Sequence, residues 1–160
     1  MTFEAPRARG ARVETRGLSR IYGAQRALDK LDLTIPSGEW LAIMGPSGSG
    51  KTTLLNLLGG LDRPDEGVVQ VGDLDLAKLD DSARTRYRRE TVGLVFQQFH
   101  LLPYLDALEN VMVAQHYHSM ADPVEAREAL TRVGLAHKAN ARPGQLSGGE
   151  QQREIGRAHV

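Results

Sequence analysis

The apolar run Trp40-Leu-Ala-Ile-Met44 leads directly into Gly45-Pro-Ser-Gly-Ser-Gly-Lys-Thr52, and this junction restricts the possible folds more than any other part of the chain. A continuous apolar run suits a strand buried on both faces of a parallel sheet. Glycine, four residues, then Gly-Lys-Thr is the spacing of a loop that cradles phosphate. Lys51 to Leu58 reads as a helix, with Leu54, Leu55, Leu57 and Leu58 packed inward and Gly59-Gly60 as its stop. Strand, glycine loop and helix in this order form the setting such a loop requires.

A triphosphate carries several negative charges that must be held outside bulk water. Gly48 and Gly50 let the backbone curl so that successive N–H groups converge at the start of the Lys51 helix. On this reading Gly45, Pro46, Ser47, Gly48, Ser49 and Gly50 form the cradle. Lys51 reaches the β- and γ-phosphates, the Thr52 hydroxyl ligates Mg²⁺, and Thr53 donates toward the α-phosphate. The plainer alternative is a glycine-rich turn that happens to precede a helix.

Around this element, Val13–Ile21 and Ala27–Ile35 read as strands joined near Tyr22-Gly23, and Pro36-Ser37-Gly38 punctuates the second. Val68–Val71 is a further short strand beyond the turn Arg63-Pro-Asp-Glu-Gly67, and Thr91–Phe96 a second buried one. Asp80-Asp81-Ser82 can cap a polar helix reaching Glu90. Its Arg84, Arg86, Arg88 and Arg89 could form a nucleic-acid patch, but helical spacing spreads them among acidic neighbours and favours a solvated face. From Leu105 to Gly134 the pattern is helical. Asp106 with Glu109 has capping-box spacing, Leu108, Val111 and Met112 make an apolar stripe, and Asp122-Pro123 opens a second helix that ends at Gly134.

The second informative motif is Leu146-Ser-Gly-Gly-Glu-Gln-Gln-Arg153. Ser147 with Glu150 satisfies the capping-box spacing, so the segment is at least a well-capped helix start. A helix start with two glycines is also a ring of N–H donors at a positive dipole end, suited to a phosphate.

Together, these motifs resemble the ATP-binding cassette (ABC) ATPases from about Val13 to Arg153. Most similar is the branch serving lipoprotein-releasing and macrolide-exporting systems, on the run from Gly45 to Asp62, Phe96-Gln97, Leu101-Leu-Pro103 and Leu108-Glu-Asn-Val111. The resemblance implies an α/β fold: a RecA-like P-loop NTPase core, N-terminal antiparallel strands, and a helical subdomain inserted at about residues 99–143. It implies ATP and Mg²⁺ as ligands, with ATP hydrolysis by the complete protein. Tyr22 matches the aromatic that stacks on adenine; its alternative is a turn tyrosine packed on the sheet. Gln97 matches the glutamine that meets Mg²⁺ or the attacking water, with adjacent Gln98 as the competing assignment. Ser147, Gly148 and Gly149 match the signature that grips ATP held by the opposite protomer. The implied partners are a second ATPase subunit, as a homodimer or pseudo-dimer, and transmembrane permease subunits at the inner face of the plasma membrane.

Bulk composition excludes several other classes. Twenty basic and twenty acidic residues leave a formal charge of zero, which gives no overall electrostatic case for nucleic acid. Without cysteine there is no disulfide, thiolate metal site or cysteine nucleophile. His116 and His118 splay apart on a helix and complete no zinc spacing. No apolar run approaches the roughly 20 residues a membrane-crossing helix requires. Residues 1–12 are expected to be a disordered basic tail rather than a secretory signal.

After Arg153 the family pattern continues to a Walker B aspartate, a catalytic glutamate, a D-loop and a switch histidine, whereas this chain reads Glu154-Ile-Gly-Arg-Ala-His-Val160. Ile155–Val160 can be encoded as ATC GGA AGA GCA CAC GTC, the start of a common sequencing adapter, so residues 154–160 are expected to be a non-native tail on a domain spanning 13–153. A chain of this extent is expected to be incomplete at its C-terminal end, poorly folded and inactive in hydrolysis. Two other readings stand beside transport: a soluble ABC ATPase of DNA repair or translation, and a non-functional gene fragment.

Overall fold

In a computed structural model of the chain, residues 10–96, 100–118 and 120–158 are described. The chain divides into two compact units, Met1–Arg88 and Arg89–Val160.

The first unit is built on an antiparallel sheet. Strands β1 (Val13–Tyr22) and β2 (Gln25–Ile35) form a hairpin through Gly23-Ala24, with Val13 opposite Ile35 and Tyr22 opposite Gln25. Both strands run further toward the turn than their apolar pattern suggests. Strand β3 (Glu66–Val71) pairs with the other edge of β1, and β4 (Leu74–Asp75) extends the sheet in the order β2-β1-β3-β4. The β1 ladder is interrupted around Gly17. There Gly67 lies so close that an added Cβ would stand 2.4 Å from the Gly17 carbonyl oxygen, and its φ is +89°. Only glycine satisfies both conditions.

Helix α1 (Lys51–Leu58) packs on β2 and β3. Leu54 and Leu57 are buried and Leu58 half-buried, but Leu55 is 52% exposed. The inward packing expected of all four leucines therefore fails at Leu55. Successive helical residues are ~100° apart, and Leu55 falls on the side away from the sheet.

Helix α2 (Asp81–Glu90) starts where Asp80 Oδ1 accepts the Ala83 N–H at 2.7 Å. Its four arginines do not share one solvated face. Arg86 and Arg89 are exposed, while Arg84 is buried. The Arg84 guanidinium donates to the carbonyls of Asp62 (2.9 Å), Leu79 (3.2 Å) and Leu76 (3.4 Å), so it staples three backbone segments together. A planar fork of N–H donors suits this task because one guanidinium can serve several carbonyls at once. Tyr87, from the same helix, donates its hydroxyl to Leu58 O at 2.7 Å, and burial pushes its phenol pKa up to about 12.

Two segments expected as buried strands are not strands among the described residues. Trp40–Met44 forms no ladder, with Trp40 98% and Met44 89% exposed. Thr91–Phe96 likewise forms none, and Val95 and Phe96 are exposed. A parallel strand exists only through hydrogen bonds to neighbours. Neither segment takes part in a ladder among the described residues.

The second unit packs α3 (Ala107–His118), α4 (Pro123–Arg132) and α5 (Gly148–Ala158) around Ala107, Val111, Ala126, Ala129, Leu130, Leu135, Ala139 and Leu146. Small alanines let the helices approach closely, and Leu108 and Met112 flank the cluster as the apolar stripe requires. The α3 start is the reciprocal box expected: Glu109 N–H donates to Asp106 Oδ1 at 2.8 Å, and Asp106 N–H to Glu109 Oε2 at 2.9 Å. Buried Asn110 accepts from Leu102 N–H at 2.8 Å and donates to the carbonyls of Leu102, Leu105 and Asp106, securing the loop before α3. Asp122 caps α4 with Pro123 in its first turn. At its other end Gly134, φ +75°, lets Leu135 N–H reach Leu130 O and Gly134 N–H reach Thr131 O, a Schellman closure.

Candidate nucleotide site

The loop Gly45–Gly50 folds as a tight reversal held by Ser49 N–H to Pro46 O at 3.3 Å. Gly50 occupies the N-cap position of α1 in the left-handed region, φ +85°, and offers no side chain to the helix amides. A Cβ there would meet Ala27 O at 2.5 Å and Leu28 Cδ2 at 2.8 Å, so the loop lies directly against β2. Gly48, at φ +81°, supplies the other left-handed turn of the curl. The amides of Lys51, Thr52 and Thr53 thus begin a helix with no side-chain cap, and such amides are ready donors to an anion.

Lys51 folds back over this loop. Its Nζ donates to Pro46 O at 2.6 Å, Gly45 O at 2.9 Å and Ser49 Oγ at 3.2 Å. Among the described residues no carboxylate lies within ion-pair distance of it. A lysine amine held by loop carbonyls and a hydroxyl, beside uncapped amides, favours an incoming polyanion. Exposed Thr52 adds a hydroxyl of the kind that binds Mg²⁺, so the donor set fits a magnesium-bound triphosphate.

Tyr22, at the end of β1, is 45% exposed. Its hydroxyl donates to Asp62 Oδ2 at 2.6 Å, and the Arg20 guanidinium lies over one ring face at 4.6 Å from the centroid. Arg20 also grips Asp62 through a fork, Nε to Oδ2 and Nη2 to Oδ1, both 2.8 Å, and reaches Asp65 at 3.2 Å. Burial tends to raise the Asp62 pKa, but the Tyr22 hydroxyl, the Arg63 N–H and Arg20 together hold it below the usual carboxylate range. The sequence reading missed Arg20 and Asp62. The available hints were a basic residue two positions before the aromatic, on the same face of its strand, and an acidic one just past the helix stop.

The signature forms its own local architecture in the second unit. Ser147 N–H and Oγ both donate to Glu150 Oε2, at 2.7 and 2.8 Å, and Glu150 N–H points back to Ser147 Oγ at 3.4 Å. The Ser147 amide and hydroxyl hold the Glu150 pKa below its ordinary value. Gln151 Nε2 donates to Pro143 O at 2.6 Å and Leu146 O at 3.1 Å, tying the helix to the preceding 3₁₀ turn. Ser147, Gly148 and Gly149 are exposed. A Cβ at Gly148 would meet nothing within 4 Å, and one at Gly149 only Arg153 Nη1 at 3.8 Å. The fold of this chain does not itself require glycine at either place. Gln97 and its neighbour Gln98 lie outside the described residues.

The family model described as ABC transporter matches residues 28–159. The lipoprotein-releasing system ATP-binding protein LolD of Anaeromyxobacter dehalogenans is 50% identical over 149 residues, covering 88% of this chain and 62% of that protein. The macrolide export ATP-binding/permease protein MacB of Rhodopseudomonas palustris is 46% identical over 153 residues, covering 90% of this chain and 23% of that protein. The chain therefore spans less than two thirds of the length of these relatives. A dimeric structure of the ATP-binding cassette MJ0796, in a post-hydrolysis state bound to ADP and Pi, is 40% identical with a TM-score of 0.78, covering 91% of this chain and 68% of that one. Sharing that α/β fold, and matched by the family model over most of its length, the chain belongs to the ABC transporter family.

Proposed function

We propose that this chain is the nucleotide-binding part of an ABC transporter ATPase of the lipoprotein-releasing or macrolide-exporting type. The observation that carries this reading is the uncapped start of α1, with the Lys51 ammonium folded over loop carbonyls and, among the described residues, no carboxylate within ion-pair distance. Gly45, Pro46, Ser47, Gly48, Ser49 and Gly50 shape the cradle; Lys51, Thr52 and Thr53 face the phosphates; Tyr22 stacks on adenine. Thr52 and Gln97 would hold Mg²⁺, which when bound neutralises charge on the phosphate oxygens.

Ser147, Gly148 and Gly149 meet the triphosphate bound by a second ATPase subunit. Support comes from the two glycines: among the described residues nothing crowds them, which leaves their small size to serve a group approaching from outside. Closing two such subunits on shared ATP moves permease partners, and hydrolysis by the complete protein resets them. Among the described residues no helix is long and apolar enough to cross a membrane, so the proposed place at the inner face of the plasma membrane comes through those permeases. Calorimetric titration with Mg·ATP tests the reading. Saturable binding that disappears in Lys51→Ala supports it; equal affinity in both chains overturns it.

A further inference from the structure

Resting on the assignment of Tyr22 to the base, we propose that Asp62 is a positioning residue that sets the Tyr22 ring for stacking, with Arg20 as its brace. Three contacts orient the ring. The hydroxyl is anchored on Asp62, one face is covered by Arg20, and Arg20 is itself locked to Asp62 by a two-bond fork. One face of the ring therefore remains for a flat ligand: the hydroxyl contact pins the far end of the ring, and Arg20 against one face restrains its rotation about the Cγ–Oη axis.

Asp62 is suited to anchor because its own backbone is held from several sides. Its N–H donates to Asn56 O at 3.3 Å, its carbonyl accepts from buried Arg84 at 2.9 Å, and its Oδ1 accepts the Arg63 N–H at 2.7 Å. Asn56 lies on α1, the helix that begins at the phosphate loop. The same segment thus fixes the far end of α1 and the edge of the aromatic ring. The loop touches β2 at Ala27-Leu28, and Leu28 pairs with Arg20. Tyr22 lies two residues beyond Arg20, ~7 Å along the strand. Tyr22 and the phosphate loop therefore border the same end of β2, the first opposite Gln25 and the second against Ala27 and Leu28. Orienting the ring in advance removes an ordering cost from binding.

The test compares two probes on the full chain: Mg·ATP and magnesium tripolyphosphate, which lacks a base. Tyr22→Ala should weaken ATP by about 10-fold relative to tripolyphosphate, the low end of a stacking contact. Asp62→Asn and Tyr22→Phe should each lower that ratio by about 3-fold, and the double variant should do no worse than Asp62→Asn alone because both remove the Tyr22–Asp62 contact. Tyr22→Phe removes a single oxygen and keeps the Arg20–Asp62 fork, so it remains informative if Asp62→Asn folds poorly. A Tyr22→Ala chain that keeps the wild-type ratio overturns the stacking assignment and this inference with it. A ratio that falls in Tyr22→Ala but is unchanged in Tyr22→Phe, or additive losses in the double variant, overturns the role of Asp62 alone.

Discussion

Two helix starts in this chain carry the candidate chemistry, and they are built in opposite ways. Helix α1 begins at a glycine that offers its amides nothing, with a lysine folded alongside. Helix α5 begins at a serine whose amide and hydroxyl already serve the Glu150 carboxylate. The first is an uncapped ring of donors with its own cation; the second carries its own anion. A helix N-terminus is therefore not by itself a phosphate site of fixed strength, since the residues that cap it set how much donor capacity remains. In α5 the open donors are the amides of Gly148 and Gly149, which suits a phosphate brought in already neutralised by another subunit's lysine.

The sharpest break of this contrast is Lys51→Ala. Removing the cation should lower Mg·ATP affinity by about 100-fold or more, as for other charge-assisted contacts. Its urea unfolding midpoint should move little, because Nζ binds only exposed loop oxygens. A large loss of stability with retained affinity would show that the lysine serves the loop rather than the ligand.

Next in size is a pair of glycine replacements. Gly50→Ala places a methyl group 2.5 Å from Ala27 O at φ +85° and should destabilise the fold by roughly 2–4 kcal/mol. Gly149→Ala has room, and alanine favours a helix, so it should change stability by less than about 1 kcal/mol in either direction. Equal unfolding midpoints for the two variants would remove the claim that one glycine serves the fold and the other a ligand.

Ser147→Ala should cost about 1 kcal/mol, the usual loss of a serine N-cap, and chemical denaturation reads it directly. The smallest effect is a pH dependence confined to α5. Because the Glu150 pKa is lowered by folding, its contribution is present above the unfolded value and lost as pH falls through the folded one. Amide shifts of Gly148 and Gly149 should therefore move below the ordinary glutamate range, about 4.3, while those of Thr52 and Thr53 stay flat. A Glu150 carboxyl that titrates at the ordinary value would contradict the self-capped description.

The devices legible in the chain are those whose partners lie within a few residues. The caps at Asp106, Asp122 and Ser147, the Gly134 closure and the glycine loop all act over two to six positions, so spacing alone specifies them. What needed the tertiary structure is whatever depends on distant partners. Arg84 looks like surface charge by helical spacing and is buried because three loop carbonyls converge on it. Leu55 looks like core and is exposed because its side of α1 faces away from the sheet. Trp40–Met44 reads as a strand, yet hydrophobicity cannot supply the neighbour that a ladder requires. Arg20 and Asp62 stand 42 residues apart and meet only because the end of β1 is folded against the turn after α1. Short-range geometry is a property of the peptide chain itself, whereas burial and long-range pairing exist only once separate segments compete for the same space.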